Sequence, residues 1–204
     1  MPLLGKNEKV DLIVSWLTIS IAFSFLFGDG LFNIASTIVL LPVSLIAVGT
    51  GFVFHELAHR QVARMFKAHA EYRAWSLGLM FALVSAFFGF LFAAPGAVYI
   101  YGPHITRRQN GIISAAGPAT NIVVAFVFML LTVLFSWNQT LGTIFMFIAQ
   151  INFFLALFNL LPVGPLDGKK VMLWEPWIWG VMFATAGIGV FFFRAILAFF
   201  GVAA

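Results

Sequence analysis

Apolar residues run through this chain in long blocks, and its polar positions gather between them. Residues 12–27, 36–66, 114–137 and 141–161 are such blocks. About 20 apolar residues cross the hydrocarbon core of a bilayer as a helix, so the pattern predicts four spans. The tail, 174–204, predicts a fifth span, or two short helices broken near Gly187 and Gly189. The expected fold is an all-α polytopic membrane protein with about five helices (four to six) across the membrane. One segment resists this scheme. Residues 75–100 are apolar throughout yet carry Gly78, Gly89, Pro95 and Gly96.

The charges help to place it. Arg64, Lys67 and Arg73 follow the second block, Arg107 and Arg108 precede the third, and Lys169 and Lys170 follow the fourth. Basic residues favour the cytoplasmic side, so an even number of crossings should separate Arg73 from Arg107. Two helical crossings need about 40 residues, more than 75–100 supplies. The expectation is a re-entrant or interfacial hairpin, part helix and part strand, shielded by protein because bare backbone cannot face lipid. One ordinary span is the alternative, and it would put Arg107 and Arg108 on the opposite side. The chain then reads as a single transmembrane domain over 1–204 with a core of about 36–170, and its N-terminus faces the cytoplasm of a cell-membrane protein.

Composition agrees. The 204 residues are 62% hydrophobic and 9% charged, too few charges to coat a soluble domain. A net charge of +4 suggests no nucleic acid here, because the Lys and Arg sit beside apolar blocks. Glu8 and Asp11, beside Lys6 and Lys9, mark a cytoplasmic start to a first span, with no removable signal peptide. Trp174, Trp177 and Trp179 suggest an interfacial belt, and Arg194 a snorkelling end residue. Cysteine is absent, so any metal must rely on His and carboxylates.

That chemistry has one conspicuous candidate. "FHELAH" places His55, Glu56 and His59 at the end of an apolar block. On a helix the two histidines share a face one turn apart, and Glu56 is turned about 100° away. Two imidazoles can then reach one zinc with the glutamate close to its water. Zinc needs a third protein ligand. His69 and Glu71, read as continuing the same helix, lie about 15 Å or more beyond His55. Asp11 and Asp29 lie at the two ends of the first span, and His104 is in a polar loop. Asp167 and Glu175 remain. Asp167 stands in "FNLLPVGPLDGKKV", where Asn159, Pro162, Pro165 and Gly168 break the fourth span near its cytoplasmic end, and a broken helix can aim a carboxylate inward.

With those residues stated, the chain resembles the site-2 protease family of intramembrane zinc metalloproteases. "HELAH", "SAAGPATN" (114–121) and "NLLPVGPLDG" look like its three signatures, in the family's order. The resemblance covers about 49–170. It implies that one zinc is bound by His55, His59 and Asp167, that Glu56 is the catalytic base, and that Asn159 contacts substrate backbone. Gly117 and Pro118 would let the third span pack tightly. Gly96 and its neighbours would offer a strand edge to a transmembrane protein substrate. Lys169 departs from the pattern, since the family often has a second glycine there. The implied activity is hydrolysis of peptide bonds of transmembrane substrates near the cytoplasmic side. His55 lies roughly 28 Å along its helix from Ser36, consistent with that depth.

Two other readings compete. A membrane zincin resembling the CAAX-prenyl proteases would take Glu175 as third ligand. A non-catalytic zinc-binding scaffold or transporter would keep the metal without the reaction. A transporter should show further polar groups along a pathway through the spans, and apart from Arg194 in the tail the middles of the other spans hold none that ionise.

Overall fold

The computed structural model describes residues 6–28, 33–91, 95–101 and 105–201. Asp29 and His104 lie outside them. The first helix, α1 (Lys6–Phe27), packs antiparallel to α2 (Ile34–Val48), which continues through a π-helical turn (Gly49–Val53) into α3 (Phe54–Met65). Then come β1 (His69–Ala74), α4 (Ser76–Phe87) and β2 (Gly96–Tyr101). Two long helices follow, α5 (Arg107–Leu134) and α6 (Gln139–Asn159), and three shorter ones, α7 (Asp167–Trp174), α8 (Pro176–Phe191) and α9 (Phe193–Phe199).

Among the described residues, four helical stretches are long and apolar enough to cross a membrane: 7–27, 34–65, 107–134 and 139–159. The α8–α9 pair, bent by 75°, makes a fifth if it counts as one span. The bend falls at Phe192 instead of the glycines. Gly189 is instead a contact point, since a Cβ there would lie 2.4 Å from the ring of Phe153 on α6.

The second span ends where Lys67 adopts a left-handed conformation (φ 59°), and the chain turns into β1. This corrects the expectation that His69 and Glu71 prolong the helix. Both are strand residues, opposite Tyr101 and Tyr99 of β2. The segment between the second and third spans is therefore a strand–helix–strand hairpin, with antiparallel strands that bring the chain back to the end it left. Its helix, α4, has 12 residues and spans about 18 Å, too short for the hydrocarbon core.

The charged start of α1 does more than flank a span. Glu8 Oε1 accepts the backbone N–H of Tyr72 at 3.1 Å, and Asp11 Oδ2 accepts that of Ala74 at 3.1 Å. Ser15, on the same face of α1, accepts the Tyr72 hydroxyl at 2.9 Å. Glu8 also pairs with Arg60 on α3 (2.8 Å). The β1 edge away from β2 is thus covered by α1. Opposed residues in an antiparallel ladder direct their N–H and C=O groups either toward each other or both outward. Tyr72 and Ala74 point outward, so their partners Val98 and Gly96 do too, off the other edge. Ile100, opposite Ala70, follows the same alternation.

The three tryptophans differ in setting. Trp177 is exposed, as a belt residue should be. Trp179 donates its indole N–H to Leu160 O (2.7 Å), and Trp174 packs on Gly111 of α5. Two of the three therefore join helices.

Candidate functional site

The π turn before His55 is the first element of the site. Gly49 and Gly51 lack side chains to stiffen it, and Leu155 of α6 closes directly over Gly51. Such turns loosen the ladder of a helix and recur at functional positions. Here the carbonyl of Gly51 accepts a hydrogen bond from Asn121 Nδ2 at 2.9 Å. Asn121 lies on α5 and is fully buried. Because its amide nitrogen faces a carbonyl, its oxygen is the atom that faces His55 Nδ1, 3.0 Å away. His55 must donate from Nδ1, which leaves Nε2 with a lone pair.

His59 is fixed in the same way by backbone. Its Nδ1 donates to Ile113 O on α5 at 2.7 Å. The two Nε2 atoms face each other at 2.9 Å, with their rings edge to face. Into this gap comes Asp167, the first residue of α7. Its Oδ2 lies 3.3 Å from His55 Nε2 and 3.0 Å from His59 Nε2. Lys170, one turn on, stands 3.6 Å from the other oxygen.

Three electron-pair donors crowded together repel unless a cation sits among them. Tetrahedral zinc, with bonds of about 2.0–2.2 Å, holds its ligand atoms roughly 3.3 Å apart, close to the spacing found here. Gly117 supports the fit: a Cβ there would lie 2.4 Å from His59 Nε2 and 2.6 Å from His55 Nε2. The space beside the donors is kept by the absence of a side chain. Among the described residues, His55, His59 and Asp167 are the group able to hold a metal ion.

These side chains line a cavity of about 450 Å³, together with Glu56, Asn159, Gly96, Val98 and Ile100. Every residue expected at the site is thereby brought to one cavity. Asn159 donates its amide to Leu155 O of its own helix at 3.0 Å. Glu175 does not join them. It stands at the N-cap position of α8 and borders a separate groove with Arg107 and Arg108, so the arrangement disfavours it as third ligand. The sequence motifs by themselves assign Asn121 no role, although an Asn in the middle of an apolar helix is itself a signal.

Among membrane-spanning bundles, a cavity of this chemistry marks out the zinc metalloproteases. Comparison with known proteins narrows that class. The model of "Peptidase family M50" matches residues 135–180. "Putative zinc metalloprotease MJ0611" of Methanocaldococcus jannaschii is 45% identical over 179 residues, covering 87% of this chain and 90% of that protein. YwhC of Bacillus subtilis (31% identity, 65% of this chain, 68% of its own) and Rip2 of Mycolicibacterium smegmatis (31%, 72% and 68%) carry the same designation. No solved structure matches the chain significantly. The chain belongs to peptidase family M50, the site-2 proteases, and is a multi-pass zinc metalloprotease.

Proposed function

We propose that this metalloprotease cleaves transmembrane protein substrates within the membrane, near its cytoplasmic face, with His55, His59 and Asp167 as zinc ligands and Glu56 as general base. The observation that carries the reading is the convergence of His55 Nε2, His59 Nε2 and Asp167 Oδ2 within 3.3 Å of one another, in a cavity that Glu56 also lines. When bound, zinc supplies a Lewis acid for the scissile carbonyl and makes water a usable nucleophile near neutral pH. Glu56 accepts a proton from the attacking water as the C–O bond forms, and delivers it to the leaving amine as the C–N bond breaks.

Orientation follows from charge. The N-terminus of α1, the hairpin strands, the start of α5 and α7 share one end of the bundle, through Glu8–Arg60, Asp11–Ala74 and Gly111–Trp174. That end carries the basic clusters, so it is assigned to the cytoplasm.

A helical substrate hides its scissile carbonyl in its own hydrogen bonds and must be extended first. The outward groups of Gly96, Val98 and Ile100 offer a strand edge on the cavity, and Asn159 offers its side-chain oxygen from across it. At Gly96 the backbone is in a region (φ 151°) that favours glycine, and a Cβ would lie 2.2 Å from Arg73 O, so this close start to β2 requires glycine.

The test is cleavage of a reporter membrane peptide in detergent by wild type and Glu56→Gln. The variant should retain zinc and lose roughly 10²–10⁴-fold in rate. Equal cleavage by both would remove Glu56 from the chemistry.

A further inference from the structure

Two strand edges exist in the hairpin, and only one adjoins the cavity. We infer that Glu8 and Asp11 are positioning residues that close the β1 edge, so that a substrate strand can add only to β2, beside Glu56. The inference rests on the reading of β2 as the substrate edge and adds what makes it the sole edge.

The geometry is specific. A strand edge presents outward N–H groups at every second residue, and on β1 two of these, Tyr72 and Ala74, are taken by carboxylate oxygens of α1 at 3.1 Å. Residues three apart on a helix share a face, so Glu8 and Asp11 can serve two donors that are two apart on a strand. The oxygens do what the carbonyls of a third strand would do. Exposed edges recruit other chains, and covering one is a standard protection. Here the cover has a second consequence. Glu8, 1% exposed, also holds Arg60, the residue after His59, so one carboxylate ties the strand to the helix that carries both histidines. The register that follows directs Gly96, Val98 and Ile100 into the cavity. Glu71 on β1 and Tyr99 on β2 are opposed residues with side chains on one face of the sheet, so a short-reach probe at each reports a chain lying beside its own strand.

The experiment places a photo-crosslinking amino acid at Glu71 or at Tyr99 in the full-length protein in detergent, with a cleavable membrane peptide. Wild-type background should crosslink the peptide from position 99 and not from position 71. The double variant Glu8→Ala/Asp11→Ala should gain crosslinks from position 71, with KM raised about tenfold or more and kcat changed less. Glu8→Gln/Asp11→Asn retains acceptor oxygens and should keep the wild-type pattern. Hydrogen exchange should speed up at the Tyr72 and Ala74 amides of the alanine variant while Glu71 and Arg73, bonded within the ladder, stay protected. Retained position-99 crosslinks with no gain at 71 and an unchanged KM would overturn the edge cover and leave strand addition standing. Cleavage by wild type with no crosslink from either position would overturn strand addition and the cover with it. Loss of protection at Glu71 and Arg73 would show that the carboxylates hold the sheet together, which also overturns a role confined to its edge.

Discussion

Asn121 Oδ1 stands 3.0 Å from His55 Nδ1, and the amide nitrogen on the same side chain holds the carbonyl of Gly51. One buried residue therefore joins the π turn, helix α5 and the orientation of the His55 imidazole, a proposed zinc ligand. Outer partners of this kind typically control metal affinity by 10–100-fold. Asn121→Ala should lower zinc affinity by roughly that factor without unfolding the bundle. Competitive chelator titration against wild type measures it, and unchanged affinity would remove Asn121 from the support of the site.

The third ligand separates the competing zinc sites. Asp167→Ala should lose most of its zinc when purified, and Glu175→Ala should keep a full equivalent, as read by elemental analysis. Zinc retained after loss of Asp167 would refute the assignment. Helix boundaries and far-ultraviolet dichroism should be alike in both variants, because Asp167 lies at the start of a short helix.

Gly117 makes a steric prediction. A methyl group there would press within 2.6 Å of both ring nitrogens. Because Gly117 lies on a packed helix that can shift only slightly, Gly117→Ala should displace the imidazoles, costing about 1–3 kcal/mol in stability. Zinc content and thermal unfolding in detergent should fall together.

Tyr72 predicts a response to alkali. Burial, with the nearby charge of Glu56 adding to it, raises its hydroxyl pKa far above the ordinary value. The folded pKa exceeds the unfolded one of about 10, so the contribution to stability is complete below pH ~10 and is lost as pH rises toward the folded value. Melting temperature should therefore fall above pH ~10. Tyr72→Phe should show a smaller fall over the same window, and parallel curves would exclude Tyr72 as the source.

What could be read from sequence depended on how far apart the partners lie along the chain. The zinc motif needs only helical spacing, and His55 and His59 fall as that spacing requires. The hairpin followed from charge parity, since seven basic positions constrain a crossing number even where hydropathy does not. The strand at His69–Ala74 was read as helix because no Gly or Pro separates it from α3. The pairing with β2, about 30 residues on, decides its conformation, as context commonly does for strands. Glu8 and Asp11 looked like flanking charges because their partners, Tyr72 and Ala74, are more than 60 residues away. The partner of Trp179 was equally out of sight: its indole N–H donates to Leu160 O, 19 residues earlier.

The loop that ends α6 and starts α7 gives the site a history as well as a geometry. His55 and His59 leave the ribosome more than 100 residues before Asp167. A nascent chain halted anywhere between them holds two imidazoles and a glutamate without Asp167. Only after both α5 and α6 have been laid into the bilayer can the last carboxylate swing into the gap. On the proposed assignment the order of synthesis is a safety catch: the third zinc ligand is the last of the set to emerge, after α5 and α6, so the site cannot be complete before them.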